Sequence, residues 1–546
     1  MKISLQIIIF CMLLSCDSSA QLFTTKSNFT RQDSLRGSIN SYRNWWDVLR
    51  YDITVTPDYN TRSIAGNVVI TYNENEPGHT MQIDMQEPMV IDSVLQENKS
   101  LEFIREGNVY WVTVRDSLKK YSNKPAKKTV HIYFHGTPRA AKNAPWDGGW
   151  IWKKDGQGRP WMSVACQGLG ASVWYPCKDH QSDEPNAGAS LTVNVPDTLV
   201  AVANGKLKSK KVNNGLASYK WEVNNPINNY NIIPYIGKYV NFTETYKGEK
   251  GNLVSDYWVL DYNLEKAKKQ FKQAPMTLKA FEYWFGPYPF YEDGFKLVEA
   301  PHLGMEHQSA VAYGNKFENG YLGRDLSGTG IGLKWDFIIV HEVGHEWFGN
   351  NITTNDVADM WVHEGFTSYS ETLFTEFHFG KKDANQYVIG NRKNIENKAP
   401  MIGIYGVNRE APSSDIYYKG ANLLHTIRQI INDDNKFRNT LRGLNKTFRH
   451  QTVTTKQIEQ YISKQSGKDL SKIFDQYLRN KKLPTLKLNV DGNRLKYKWD
   501  NVIEGFNMPV KLTNGKWLYP TGKWQEISIT QKSINLDPNF YIEVDK

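Results

Sequence analysis

Cysteine is scarce in this chain: four in 546 residues, at positions 11, 16, 166 and 177. No Cys-x-x-Cys pair occurs, which excludes a cysteine zinc site. So little cross-linking leaves hydrophobic cores to hold the fold. Past the N-terminus no apolar run reaches the roughly eighteen residues of a membrane span, which excludes a polytopic membrane protein. Internal repeats and low-complexity segments are absent too. With 23% charged and 13% aromatic residues, the composition is that of a folded chain rather than a disordered one. The formal net charge is +10, yet the basic residues form no dense run, the densest clusters being short, such as Lys208-Ser209-Lys210-Lys211. A scattered excess of this kind is a solvated surface, so nucleic acid is not the expected partner.

At about 150 residues per domain, the length implies three to four domains. Lys2 precedes an apolar run from Ile3 to Leu14, too short to cross a bilayer and consistent with the core of a secretory signal over residues 1–20. Two processing sites compete. Leu13-Leu14-Ser15-Cys16 resembles a bacterial lipoprotein box, which would leave Cys16 acylated and the protein anchored to a membrane. Ser18-Ser19-Ala20 before Gln21 is an ordinary small-x-small site. Either outcome exports the protein to the periplasm or cell envelope. There Cys166 and Cys177 either pair or remain two separate buried thiols.

Alternating segments such as Tyr51-Asp-Ile-Thr-Val-Thr56 and Thr129-Val-His-Ile-Tyr-Phe134 predict an antiparallel β domain over residues 21–240. Helical spacing begins near Asn263 and recurs at 332–348, 361–378, 418–432 and 455–479, with Asp356 or Asp359 available near the start of the second of these. Alternation returns after Pro484, so a small β module is expected over 483–546. The fold class is therefore multidomain α+β, with a helix-rich domain over 241–482.

Chemistry concentrates in His341-Glu342-Val343-Gly344-His345. Positions i and i+4 of a helix lie about 40° apart after a full turn, so both imidazoles can bind one cation. Glu342 follows one ligand and can reach a metal-bound water without ligating. A catalytic zinc needs a third protein ligand and an open position. Glu364 suits that role, in the first turn of the 361–378 helix. Glu371 follows on the same face, placed to accept an imidazole N–H. His363 points about 100° away from Glu364. His302 and His307 read as structural or substrate-facing.

These residues resemble the M1 family of zinc aminopeptidases, with its HExxH-x18-E pattern. His341 to Asn350 is similar to the family's zinc helix and its continuation. Trp361-Val-His-Glu-Gly365 resembles its WLNEG segment, with His363 for the usual Asn. Tyr417-Tyr418-Lys419-Gly420-Ala421 matches YxKGA, and Leu303-Gly304-Met305-Glu306-His307 matches GxMEN except at its first and last positions. The segment around Cys166-Gln167 and the stretch Phe285-Gly-Pro-Tyr-Pro-Phe290 are also similar, and the resemblance spans about residues 45–480. It implies a saddle-like β domain, a thermolysin-like catalytic domain and one zinc held by His341, His345 and Glu364. It also implies Glu342 as general base, and Tyr417, rather than its neighbour Tyr418, as the oxyanion donor. Glu306 helped by Gln167 would bind the α-ammonium of a peptide with a free N-terminus, Gly304 and Met305 would also meet the substrate, and backbone N–H groups near Leu303-Gly304 would hold the peptide by strand-like pairing. Rival readings at the same zinc are an epoxide hydrolase and a thermolysin-type endopeptidase. A third is a non-catalytic exported peptide-binding lipoprotein, which would be free to lose these residues.

Overall fold

The computed structural model describes residues 29–115, 126–408, 413–530 and 534–546. The expected export segment, with Cys16 and both cleavage sites, lies outside the described residues.

Period-two alternation builds the first half of the molecule. Strand Trp46–Asp58 buries Val48, Tyr51, Ile53 and Val55 and pairs with Ser63–Glu74. An eight-stranded sheet grows around this hairpin, with Lys206–Asn213 at one edge and Lys99–Ser100 at the other. The expected antiparallel pattern breaks at one pair, because Tyr51–Val55 lies parallel to Ala189–Val193. The long excursion between those strands supplies the crossover that a parallel pair requires. It includes Gly149–Lys154 and Pro160–Ala165, two strands of a second sheet that buries side chains in the same core. Cys166 and Cys177 are buried there as thiols, not as a disulfide.

A five-stranded sheet opens at Tyr239–Gly248, and Gly304–Met305 is its outermost strand, paired with Ala312–Tyr313 on one side. Alternation along these strands splits them between two cores. Val311 and Tyr313 pack with the helices that follow, while Met305, Ala310 and Ala312 pack with the β domain. Gly304–Met305 therefore sits on the seam between the two.

The helix expected at 332–348 is shorter, Phe337–Gly344. Asp336 starts it, accepting hydrogen bonds from the Ile338 and Ile339 amides. It ends because Phe348 is extended and Gly349 takes φ 131°. Trp361–Phe379 and Asp415–Ile431 follow expectation closely, and the 455–479 segment divides into Thr455–Ser466 and Ser471–Arg479 around Gly467. Neither Asp356 nor Asp359 caps the Trp361 helix. Asp356 caps the short turn before it, and Asp359 instead accepts from the Thr455 amide and hydroxyl. Helices Lys381–Gly390 and Asp434–Thr447 lie beyond the sequence expectation.

At the C-terminal end, Thr485–Asp491 pairs with Arg494–Asp500, and Leu486, Leu495 and Trp499 join the core of the helical region. Among the described residues no helix is long and apolar enough to cross a membrane.

Candidate active site

The helix Phe337–Gly344 carries His341 and Glu342, and its C-cap residue is His345. Each imidazole is fixed through Nδ1. His341 Nδ1 lies 2.7 Å from Glu371 Oε1, and His345 Nδ1 lies 3.0 Å from the Phe348 carbonyl that the kink turns back. Glu371 is held in turn by the Tyr387 hydroxyl, 2.7 Å from Oε2. Both Nε2 atoms are thereby left for a ligand. They stand 3.6 Å and 3.4 Å from Glu364 Oε2, a buried oxygen that accepts no hydrogen bond.

That spacing fits a tetrahedral zinc. Bonds of about 2.0–2.1 Å at tetrahedral angles place ligand atoms about 3.4 Å apart. Two neutral-capable imidazoles and a carboxylate are also the right donor types, with an open side toward the cavity. Electrostatics agree with a cation site. Burial favours the neutral acid, yet the charges of His345 and His341 hold Glu364 well below the usual carboxylate range. Burial opposes charge on His341, but Glu364 and Glu371 hold its pKa well above the ordinary value.

The other expected residues gather round this triad. Glu342 is buried, which pushes its pKa up to about 7, against the opposing pull of His341 and His345. Gly304 lies so close that a Cβ there would stand 2.6 Å from Glu342 Oε1. Glu306 is next to both, since Glu306, Glu342 and His345 offer ligand atoms within 4.8 Å of one another. Its Oε1 accepts from Gln167 Nε2 at 2.5 Å and from the Tyr230 hydroxyl at 3.0 Å. Burial raises its pKa. Tyr417 comes from the helix Asp415–Ile431, and its ring stacks on His341 with centroids 6.1 Å apart. Tyr418 lines the same cavity and is pushed well above the usual tyrosine range by burial. The cavity measures about 390 Å³, and Met305, Met360 and Ile416 supply apolar wall beside the groups above.

His363 is turned away from the triad. Its Nε2 accepts from the Thr354 amide at 2.9 Å, and burial holds it neutral, down at about 3. His307 lies against the Tyr235 hydroxyl, also outside the triad. Tyr230 and Tyr387 escaped sequence reasoning. Each acts from a distant element on a carboxylate, and no local spacing marks it.

The two Gly residues of the motifs have a joint role. A Cβ on Gly420 would stand 2.8 Å from Gly365 Cα, so the helices of Glu364 and Tyr417 touch backbone to backbone at this point. That approach brings the Tyr417 helix up to the metal ligands.

A model of the peptidase M1 N-terminal domain matches residues 48–230, and one of the peptidase family M1 domain matches residues 270–477. The chain belongs to peptidase family M1. Aminopeptidase 2, mitochondrial, of Saccharomyces cerevisiae is 22% identical over 488 residues, 86% of this M1 chain and 50% of that protein. Leukotriene A-4 hydrolase of Xenopus laevis is 23% identical over 333 residues, 57% of this chain and 51% of that one. The chain thus spans about half the length of these curated relatives. The crystal structure of an M1 zinc metallopeptidase from Deinococcus radiodurans superposes with a TM-score of 0.67 at 21% identity, covering 81% of this chain and 96% of that one. That likeness is one of fold. The triad, Glu342 and Glu306 all fall within the matched segment 270–477.

Proposed function

We propose that this M1 chain is a zinc-dependent aminopeptidase, removing N-terminal residues from peptides. One observation carries the reading: Glu306, tied to Gln167 and Tyr230, lines the cavity that holds the metal triad. A buried carboxylate here is costly unless a cation meets it, and a free α-ammonium is such a cation. An internal peptide bond or an epoxide brings none.

His341, His345 and Glu364 would hold the zinc, which when bound would supply a more acidic water and a Lewis acid for the scissile carbonyl. Glu342 takes the proton of the attacking water and returns it to the leaving amine. The Tyr417 hydroxyl donates to the carbonyl oxygen of the scissile bond as charge develops there. Glu306 and Gln167 set the register by fixing the ammonium. Gly304 and Met305 offer the unpaired edge of their strand to the peptide backbone.

The test is a panel of aminoacyl anilides, free and N-acetylated, each with and without chelator. Cleavage confined to free amines and abolished by chelator is expected. Cleavage of the blocked compounds would instead indicate an endopeptidase. No cleavage at stoichiometric zinc would point to epoxide hydrolysis or to a binding protein.

We further propose export, supported by the apolar run Ile3–Leu14 and the small residues behind it. The intact mass of protein recovered from cells decides between an acylated Cys16 and a start at Gln21. An uncleaved Met1 start in both soluble and membrane fractions would overturn the proposal.

A further inference from the structure

Beside the catalytic cavity lies a larger one, about 780 Å³, and the two share Trp146 and Leu303 in their walls. The hydrolytic groups lie outside it. Its position along the substrate path follows from chain order. Glu306 marks the ammonium, Gly304 lies against Glu342, and Leu303 and His302 come next in the same direction. A peptide that meets Glu306 with its N-terminus and Glu342 with its first peptide bond must leave along that line. At about 3.3 Å per extended residue, its third residue and those beyond pass Leu303 and enter the second cavity.

The walls suit a peptide tail. Trp146 is 64% exposed, and Trp161, Tyr262 and Phe317 add aromatic surface. Charge in the cavity is unbalanced. Lys153, Lys266 and Lys316 line it against Glu299 and Glu318. The Glu299 carboxylate is already taken by the Leu260 amide at 2.8 Å and by Asn263 Nδ2 at 2.7 Å. Lys153 is likewise engaged, donating to the Pro301 carbonyl at 2.8 Å. Lys266 and Lys316 are exposed and line the cavity together with Glu318, and the charge of Lys266 also acts on Glu299. His302 also lines the cavity, 6% exposed, with its ring edge-on to His307 at 6.2 Å between centroids.

We propose that this second cavity receives the leaving part of the peptide from its third residue onward, and that Lys266 and Lys316 bind a carboxylate there. The inference rests on the aminopeptidase reading. The carboxylate has two sources, the C-terminus of a short peptide or an acidic side chain at the third position.

The experiment uses the full-length zinc-loaded protein and three tripeptides that begin with the residue best accepted as an anilide. They are X-Ala-Ala as free acid, X-Ala-Ala amide and X-Ala-Asp amide. The free acid or the Asp peptide should exceed the Ala amide in kcat/KM by about tenfold, the scale of one charge-assisted contact. Added salt should shrink the ratio. In the exposed double variant Lys266→Ala/Lys316→Ala the ratio should fall to about one. Calorimetry on the Glu342→Gln protein should give the same ratios in Kd, without turnover. Equal handling of all three peptides, or a ratio that survives in the double variant, overturns the proposal. Loss of anilide cleavage would instead strike the aminopeptidase reading, and the calorimetric ratio would still decide whether the cavity binds carboxylate.

Discussion

At the scale of single residues, two carboxylates of one cavity differ in what surrounds them. Glu342 has a glycine for a neighbour and faces the two imidazoles, whereas Glu306 is anchored by Gln167 and Tyr230. Under the proposed mechanism, the group that moves a proton is loosely held and the one that holds a charge is braced. Glu342→Gln keeps the shape and removes the base, so kcat should fall by about 10²–10⁴ with zinc still stoichiometric by metal analysis. Near wild-type turnover in that variant would remove Glu342 from its role. Glu306→Ala should raise KM for free-amine substrates by about tenfold or more and leave the metal bound. An unchanged KM would mean that the ammonium binds elsewhere. Glu342 was legible because it lies in a motif whose helical spacing has a geometric meaning, and Glu306 through the resemblance of its motif to that of the family. Tyr230 and Tyr387 were not legible, because they reach Glu306 and Glu371 from other elements through contacts that only the fold creates.

At the scale of elements, helices were legible where apolar periodicity was strong, and their ends were not. The metal helix stops within one residue of its second ligand because Gly349 adopts a positive φ, a backbone event that periodicity does not report. Asp336 caps the other end, and it also accepts from the Tyr313 hydroxyl at 2.7 Å and Gln270 Nε2 at 2.8 Å, so it ties the helix to the sheet. The glycines of the two later motifs work as a pair. Gly365 and Gly420 let the helices Trp361–Phe379 and Asp415–Ile431 meet at backbone distance. Gly420→Ala would place a methyl 2.8 Å from Gly365 Cα, against backbone that cannot rotate away. Overpacking of this kind costs about 1–3 kcal/mol. The variant should melt several degrees lower, and kcat should fall more than zinc affinity, since Tyr417 moves with its helix while His341 and His345 do not. A wild-type melting temperature and kcat would show that the crossing has slack.

At the scale of the whole molecule, the C-terminal module is built into the catalytic core rather than hung beside it. Alternation after Pro484 revealed its strands, but not the segment Pro538–Tyr541 that docks on the helix Asp415–Ile431. There Tyr541 N donates to Thr426 Oγ1 at 3.1 Å, Arg392 donates to the Pro538 carbonyl at 2.8 Å, and His425 Nε2 lies 3.0 Å from Asn539 Oδ1. His425 makes this contact pH-sensitive. It is buried, its Nδ1 lies 3.1 Å from the Tyr369 hydroxyl, and burial lowers its pKa from 6.5 to about 3. The folded state therefore keeps the ring neutral while the unfolded state takes up a proton below pH 6.5. Stability from this group is complete above the unfolded value and is lost as pH falls toward the folded one. By pH 5 the loss should reach about 2 kcal/mol. The measurement is urea unfolding of the wild type and of His425→Gln, which keeps a polar side chain but cannot titrate, between pH 7 and pH 5. Subtracting the two cancels every other titrating group, so the wild type should lose about 2 kcal/mol more than the variant over that interval. Equal losses would mean that His425 takes up its proton in the folded protein, and that the docking of Pro538–Tyr541 does not require a neutral ring.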